Sequence, residues 1–84
     1  MKSNLREFKY VIINGMYPRV CSLAEKHSDL ANGLKPTSAG FARLLVGDDG
    51  YMMVSCWGKS LGLCVQSDPE NDAFLLKMLF VNPT

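Results

Sequence analysis

Apolar residues crowd the middle of the chain. From Ala39 to Gln66, AGFARLLVGDDGYMMVSCWGKSLGLCVQ, hydrophobic runs are separated by two tight-turn signals, Asp48-Asp49-Gly50 and Gly58-Lys59-Ser60. The pattern predicts a meander of three short antiparallel strands. A three-residue hairpin loop wants a left-handed residue at its last position, and Gly50 supplies it. Gly47 then pairs with Tyr51. On one face Val46 meets Met52, Leu44 meets Val54 and Ala42 meets Cys56. On the other, Leu45 meets Met53, Arg43 meets Ser55 and Phe41 meets Trp57. The second turn is expected to bring Trp57 opposite Leu61 and Ser55 opposite Leu63. A sheet with one wet face alternates apolar and polar residues. Here both faces are apolar, and the one carrying Phe41, Leu45, Tyr51, Met53, Trp57 and Leu63 is the bulkier.

The flanking segments carry their own periods. MKSNLR, residues 1–6, is expected to be a loose lead-in. Phe8 to Ile13 alternates as a strand with Phe8, Tyr10 and Ile12 on one face. Asn14-Gly15 is a strong hairpin signal, and Met16 to Cys21 reads as the return strand. Pro18 cannot donate to a ladder, which puts that strand at a sheet edge or Pro18 at its start or a bulge. Ser22 to Glu25 fits a capping box at the start of a helix. Leu23, Ala24, His27, Leu30, Ala31 and Leu34 form its stripe, and Gly33 with Pro36 ends it. Asp68 or Ser67 caps a second helix over residues 69–80, with Pro69 and the acids suited to its first turn. Its second half, AFLLKMLFV, is apolar all round except Lys77, so it is buried on more than one side or lies at an interface. A strand over residues 75–81 is the competing assignment. The order β-β-α-β-β-β-α predicts an α+β fold, a mostly antiparallel five-stranded sheet with two helices packed on it.

Composition narrows the class. At 84 residues the chain makes one small domain with a modest core, and such chains often gain stability by association. A hydrophobic content of 48% excludes a disordered chain. Nine basic and eight acidic residues leave a net charge of +1, a weak electrostatic footprint for nucleic acid. Charges at Arg6, Glu7 and Lys9 interrupt any signal-peptide core, and no apolar run approaches the roughly 20 residues of a membrane span. Cys21, Cys56 and Cys64 lack a scaffold spacing, which points to a reduced, cytoplasmic protein.

Two segments, TSAGF (Thr37–Phe41) and WGKSLGLCVQSDPEND (Trp57–Asp72), resemble a pattern of small bacterial and phage proteins. In that pattern an SAGF-like strand is followed by a G-x-S-x-x-L-G strand and an acidic helix begun by Pro. The resemblance implies a microbial or phage origin. It brings no activity and no functional residue with it.

Candidate chemistry is sparse. Cys21, His27, Cys56 and Cys64 have the atoms of a zinc site but not the ligand spacing, so core cysteines explain them better. A Cys21–His27 nucleophile pair lacks an orienting partner. Gly58-Lys59-Ser60 echoes the end of a phosphate-binding loop without its upstream glycine or following helix. No cofactor, metal or catalytic set is therefore expected. Lys9, Arg19, Arg43 and Lys59 could form a basic stripe beside Tyr10, Tyr17, Tyr51 and Trp57, which keeps a sheet-based nucleic-acid or nucleotide binder open. The alternative is a protein-binding face made of Phe41, Arg43, Tyr51, Met53, Trp57 and Leu63, residue types enriched at interface cores. The sequence favours this second function: a small non-catalytic adaptor or inhibitor, docking a protein partner or forming a homodimer, with no membrane involved.

Overall fold

The computed structural model describes residues 4–81. Strands β1 (Asn4–Ile13), β2 (Tyr17–Cys21), β3 (Ser38–Val46) and β4 (Met52–Trp57) form one antiparallel sheet in the order β2-β1-β3-β4. Helix α1 (His27–Ala31) lies between β2 and β3. Strands β5 (Lys59–Ser60) and β6 (Val65–Gln66) make a separate two-stranded ribbon, and helix α2 (Pro69–Val81) follows it. The fold is α+β, as the periodicities predict.

The first hairpin of the meander forms in the expected register: Phe41 opposite Trp57, Arg43 opposite Ser55 and Leu45 opposite Met53. Gly50 takes φ +86° at the last loop position, and the Gly47 N–H donates to the Tyr51 carbonyl at 2.7 Å. Pro18 sits opposite Ile12 on edge strand β2, where its missing N–H is tolerated. Helix α2 spans the second apolar run, so the strand assignment for residues 75–81 is set aside.

Three expectations need correction. The third meander strand does not join the sheet. Gly58, at φ +82°, turns the chain away directly after Trp57, and its Cα lies too close to the Phe41 ring for any side chain. Lys59 and Ser60 then pair with Gln66 and Val65, and Leu61–Cys64 is the turn between them, with Cys64 at φ +56°. The sheet therefore has four strands rather than five. The first helix is also shorter than its stripe suggested. Glu25 does reach back to the Ser22 N–H (3.1 Å), but its own N–H bonds the Ser22 carbonyl at 3.1 Å, which closes a turn. The Glu25 carbonyl accepts from Lys9 Nζ at 2.6 Å, and extended backbone at Lys26 delays the helix to His27. Lastly, β1 begins early: Asn4, Leu5 and Arg6 pair with Val46, Leu45 and Leu44. Residues 1–3 of the expected lead-in lie outside the described residues.

The two sheet faces are covered unequally. Helix α2 packs on the face of Tyr10, Ile12, Ala42 and Cys56, with Leu76 at the centre and Phe8, Val54, Leu79 and Phe80 around it. On the opposite face, Leu30 of α1 with Leu63 and Val65 of the ribbon segment covers Val11, Ala39 and Ile13. That cover stops halfway along the sheet.

Candidate interaction surface

The uncovered half of the second face is built from alternate positions of three strands. β1 supplies Leu5 and Glu7, β3 supplies Arg43 and Leu45, and β4 supplies Met53, Ser55 and Trp57. Tyr51 adds to it from the end of the hairpin loop. The exposures decide its character: Trp57 is 39% exposed, Met53 47%, Tyr51 53% and Leu5 57%. A monomer leaves single apolar residues in water freely, whereas here Leu5, Met53, Tyr51 and Trp57 are exposed as one group.

The anchor is held by Phe41 and Arg43, each backed by a second residue. The Phe41 ring stacks on Trp57 with centroids 6.3 Å apart, and His27 meets Phe41 edge-on at 5.5 Å. Arg43 lies with its guanidinium carbon 5.4 Å from the Trp57 ring centre, within cation–π range. Glu7 in turn fixes Arg43 with two hydrogen bonds, at 2.7 and 3.1 Å. That ion pair is exposed and contributes little stability by itself. Its effect is positional: it keeps the guanidinium over the indole, so an exposed tryptophan loses little freedom on binding.

Of the residues expected at an interface, Phe41, Arg43, Met53 and Trp57 share this face and Tyr51 borders it. Leu63 does not. It belongs to the turn between β5 and β6, and packs in the small core with Val11, Ala39 and Val65. Leu5 and Glu7 lie outside the expected face because the periodicity predicts the strand only from Phe8. The odd-numbered alternation Leu5, Glu7, Lys9, Val11, Ile13 carries the signal that β1 starts early.

The other candidate chemistry disperses. His27 is buried with Nε2 2.7 Å from the Gly40 carbonyl oxygen, and Cys56 lies under α2 on the opposite face. No group of three potential metal ligands occurs among the described residues. Burial raises the Cys21 thiol, and Glu25 adds to the rise, which is the wrong direction for a nucleophile. The basic stripe is largely committed to internal bonds: Lys9 to the Glu25 carbonyl, Arg19 Nη1 to the Leu30 carbonyl at 3.3 Å, and Arg43 to Glu7. The Lys59 side of the phosphate-loop echo sits in the ribbon, and the turn Leu61–Cys64, not a helix, comes directly after it.

One feature escaped the sequence. Asp72, fully buried in the first turn of α2, accepts hydrogen bonds from Tyr10 Oη (2.5 Å), Ser38 Oγ (2.6 Å) and the Asp68 N–H (2.8 Å). This cluster has no opening to solvent: Tyr10 is 0% exposed and Ser38 6%. Its role is to fasten α2 to the sheet. The TSAGF and WGKS…DPEND segments meet here, through Ser38 and Asp72, and again at Trp57. Thr37 Oγ1 donates to the Ile12 carbonyl and accepts from the Gly15 N–H, Gly40 lies against the Trp57 carbonyl, and Phe41 stacks on Trp57. The two segments are two halves of one clasp.

The chain matches no family model, no curated protein and no solved structure.

Proposed function

We propose that this protein is a small non-catalytic binding module that docks on a protein surface through the open half of its sheet, as an adaptor or inhibitor. The observation that carries this is the exposed, pre-positioned Trp57, stacked on Phe41 and roofed by Arg43, with Met53, Leu45 and Leu5 beside it. Tryptophan and arginine dominate the energetic centres of interfaces, and an anchor already held in place binds at lower entropic cost. Lys9, Arg19 and Arg43 of the basic stripe are committed to bonds within the chain, which favours a protein partner over nucleic acid. Three free cysteines fit a reducing compartment.

Capture of partners from the native host, with native protein and the Trp57→Ala variant side by side, tests this. The docked complex is expected to survive high salt and to weaken on Trp57→Ala by about 2 kcal/mol, roughly thirtyfold in affinity. A complex that contains nucleic acid, dissolves steeply with salt and ignores Trp57→Ala contradicts it.

A further inference from the structure

We propose that strand β4 is an interaction edge whose occupant is the β4 strand of a second copy of this chain, joined antiparallel across a two-fold axis into one continuous sheet. This pairing goes beyond the docking function proposed above: it joins two sheets at their edges and leaves the open half-face of each copy available to a partner.

The two edges of the sheet are built differently. The Thr37 N–H bonds the Ile12 carbonyl, so the even-numbered residues of β1 face β3 and the odd-numbered ones face β2. Pro18, opposite Ile12, therefore turns its nitrogen outward, and edge β2 lacks a donor there. Arg19 adds a charge to the same strand. Proline and charge are how natural sheets blunt an edge. Edge β4 has neither. Its six residues, MMVSCW, are uncharged and contain no proline. The Gly47–Tyr51 bond fixes the alternation here too: Met53, Ser55 and Trp57 bond toward β3, and the N–H and C=O groups of Met52, Val54 and Cys56 point outward. None of these outward groups has a hydrogen-bond partner elsewhere among the described residues. A row of unpaired backbone groups on an apolar strand is completed by another strand.

A second copy completes it with the same groups. Antiparallel pairing centred on Val54 sets Val54 against its own copy and Met52 against Cys56 of the second copy, which uses every outward group of the strand. No charge opposes another, because the strand carries none. On the open face, Met53 falls beside Ser55 of the second copy, and Tyr51 faces Trp57 of the second copy, an aromatic cross-strand pair. The two exposed apolar patches become neighbours in one continuous surface, so the pairing completes the edge and doubles the open face.

Sedimentation equilibrium over a wide concentration range, with amide hydrogen exchange, tests the pairing in the native chain and in Ser55→Lys. Ser55 is exposed on the open face opposite Arg43, so the lysine also sets a cation beside Arg43 within the chain, and an amide spectrum of the variant verifies that the β3 ladder persists. The substitution sets two cations diagonally across the axis. The expected result is a dimer of twice 9.3 kDa, with the Val54 and Cys56 amides protected only when it forms. Ser55→Lys is expected to weaken it about tenfold. A chain that stays monomeric throughout overturns the pairing, while docking on another protein remains testable through Trp57→Ala. A dimer that tolerates Ser55→Lys and leaves the Val54 and Cys56 amides exchanging freely also overturns it, since association then uses another surface.

Discussion

Asp72 concentrates more of the fold than any other single side chain. A buried acceptor with three donors costs little while all three bonds are made and much when they are not. Asp72→Asn keeps the shape but turns one acceptor into a donor, facing hydroxyls and an N–H that need to donate. The expected loss is roughly 2 kcal/mol, and more for Asp72→Ala, measured by urea unfolding. Nearby, burial pushes the Cys56 thiol up from 9.0 to about 11, against a smaller pull from the Tyr10 hydroxyl. Burial, and then the bond to Asp72, raise the Tyr10 hydroxyl above its ordinary 10.0. Both folded values lie above the unfolded ones, so the folded state holds protons that the unfolded chain releases. The Cys56 contribution is full below about pH 9 and is lost as the pH rises through about 11, while that of Tyr10 starts to fall only above its ordinary 10.0. Denaturation midpoints should fall across that window, and Cys56→Ala should flatten the fall. Iodoacetamide near neutral pH should label exposed Cys64 first, Cys21 slowly and Cys56 last, as read by mass spectrometry; rapid labelling of Cys21 would revive a nucleophilic role for it. At this scale the alternation of Phe8, Tyr10 and Ile12 was legible. The partners of Asp72 were not, because they lie 34 and 62 positions away in the chain.

Elements with strong local chemistry were readable, and those decided by distant contacts were not. The loop Asp48-Asp49-Gly50 fixes its register because the left-handed glycine is last. Gly58 comes first in Gly58-Lys59-Ser60, and a left-handed residue there sends the chain out of the sheet instead of back along it. That difference in position was available in the sequence. The shortening of α1 was not: it depends on Lys9, from β1, taking the Glu25 carbonyl. The close approach at Gly40 belongs to the same scale. A Cβ there would stand 2.4 Å from the Trp57 carbonyl oxygen and 3.2 Å from the Ser67 Cβ. Backbone cannot yield as a side chain tip can, so Gly40→Ala is expected to cost at least 1–3 kcal/mol, on the order of other overpacked sites. A Gly40→Ala variant with unchanged thermal stability would show that β3 and the start of the ribbon are not packed this way.

The whole molecule has more apolar surface than its elements can hide. Helix α2 spends one side on the sheet and leaves Phe74, Met78 and Val81 exposed on the other, with Lys77 beside them. Helix α1 and the ribbon cover half of the opposite face. The bulky, two-sided character of the meander predicted such a shortage, although it did not say which face would be left open. Among the described residues no helix is long and apolar enough to cross a membrane. Under the proposed function the open half-face is where a protein surface docks, and a polar substitution in it should improve solubility while leaving the fold intact: Met53→Ser is expected to change unfolding stability little, because Met53 is already half in water.

Trp57 is the chain's single tryptophan, so its fluorescence reports on that face alone. Acrylamide quenching of Trp57, measured in the free protein and again in complex with a captured partner, is the most direct test of docking through the open half-sheet. Ready quenching in the free protein, with a blue shift and strong protection in the complex, is the predicted result. A complex that leaves Trp57 equally quenched would contradict it.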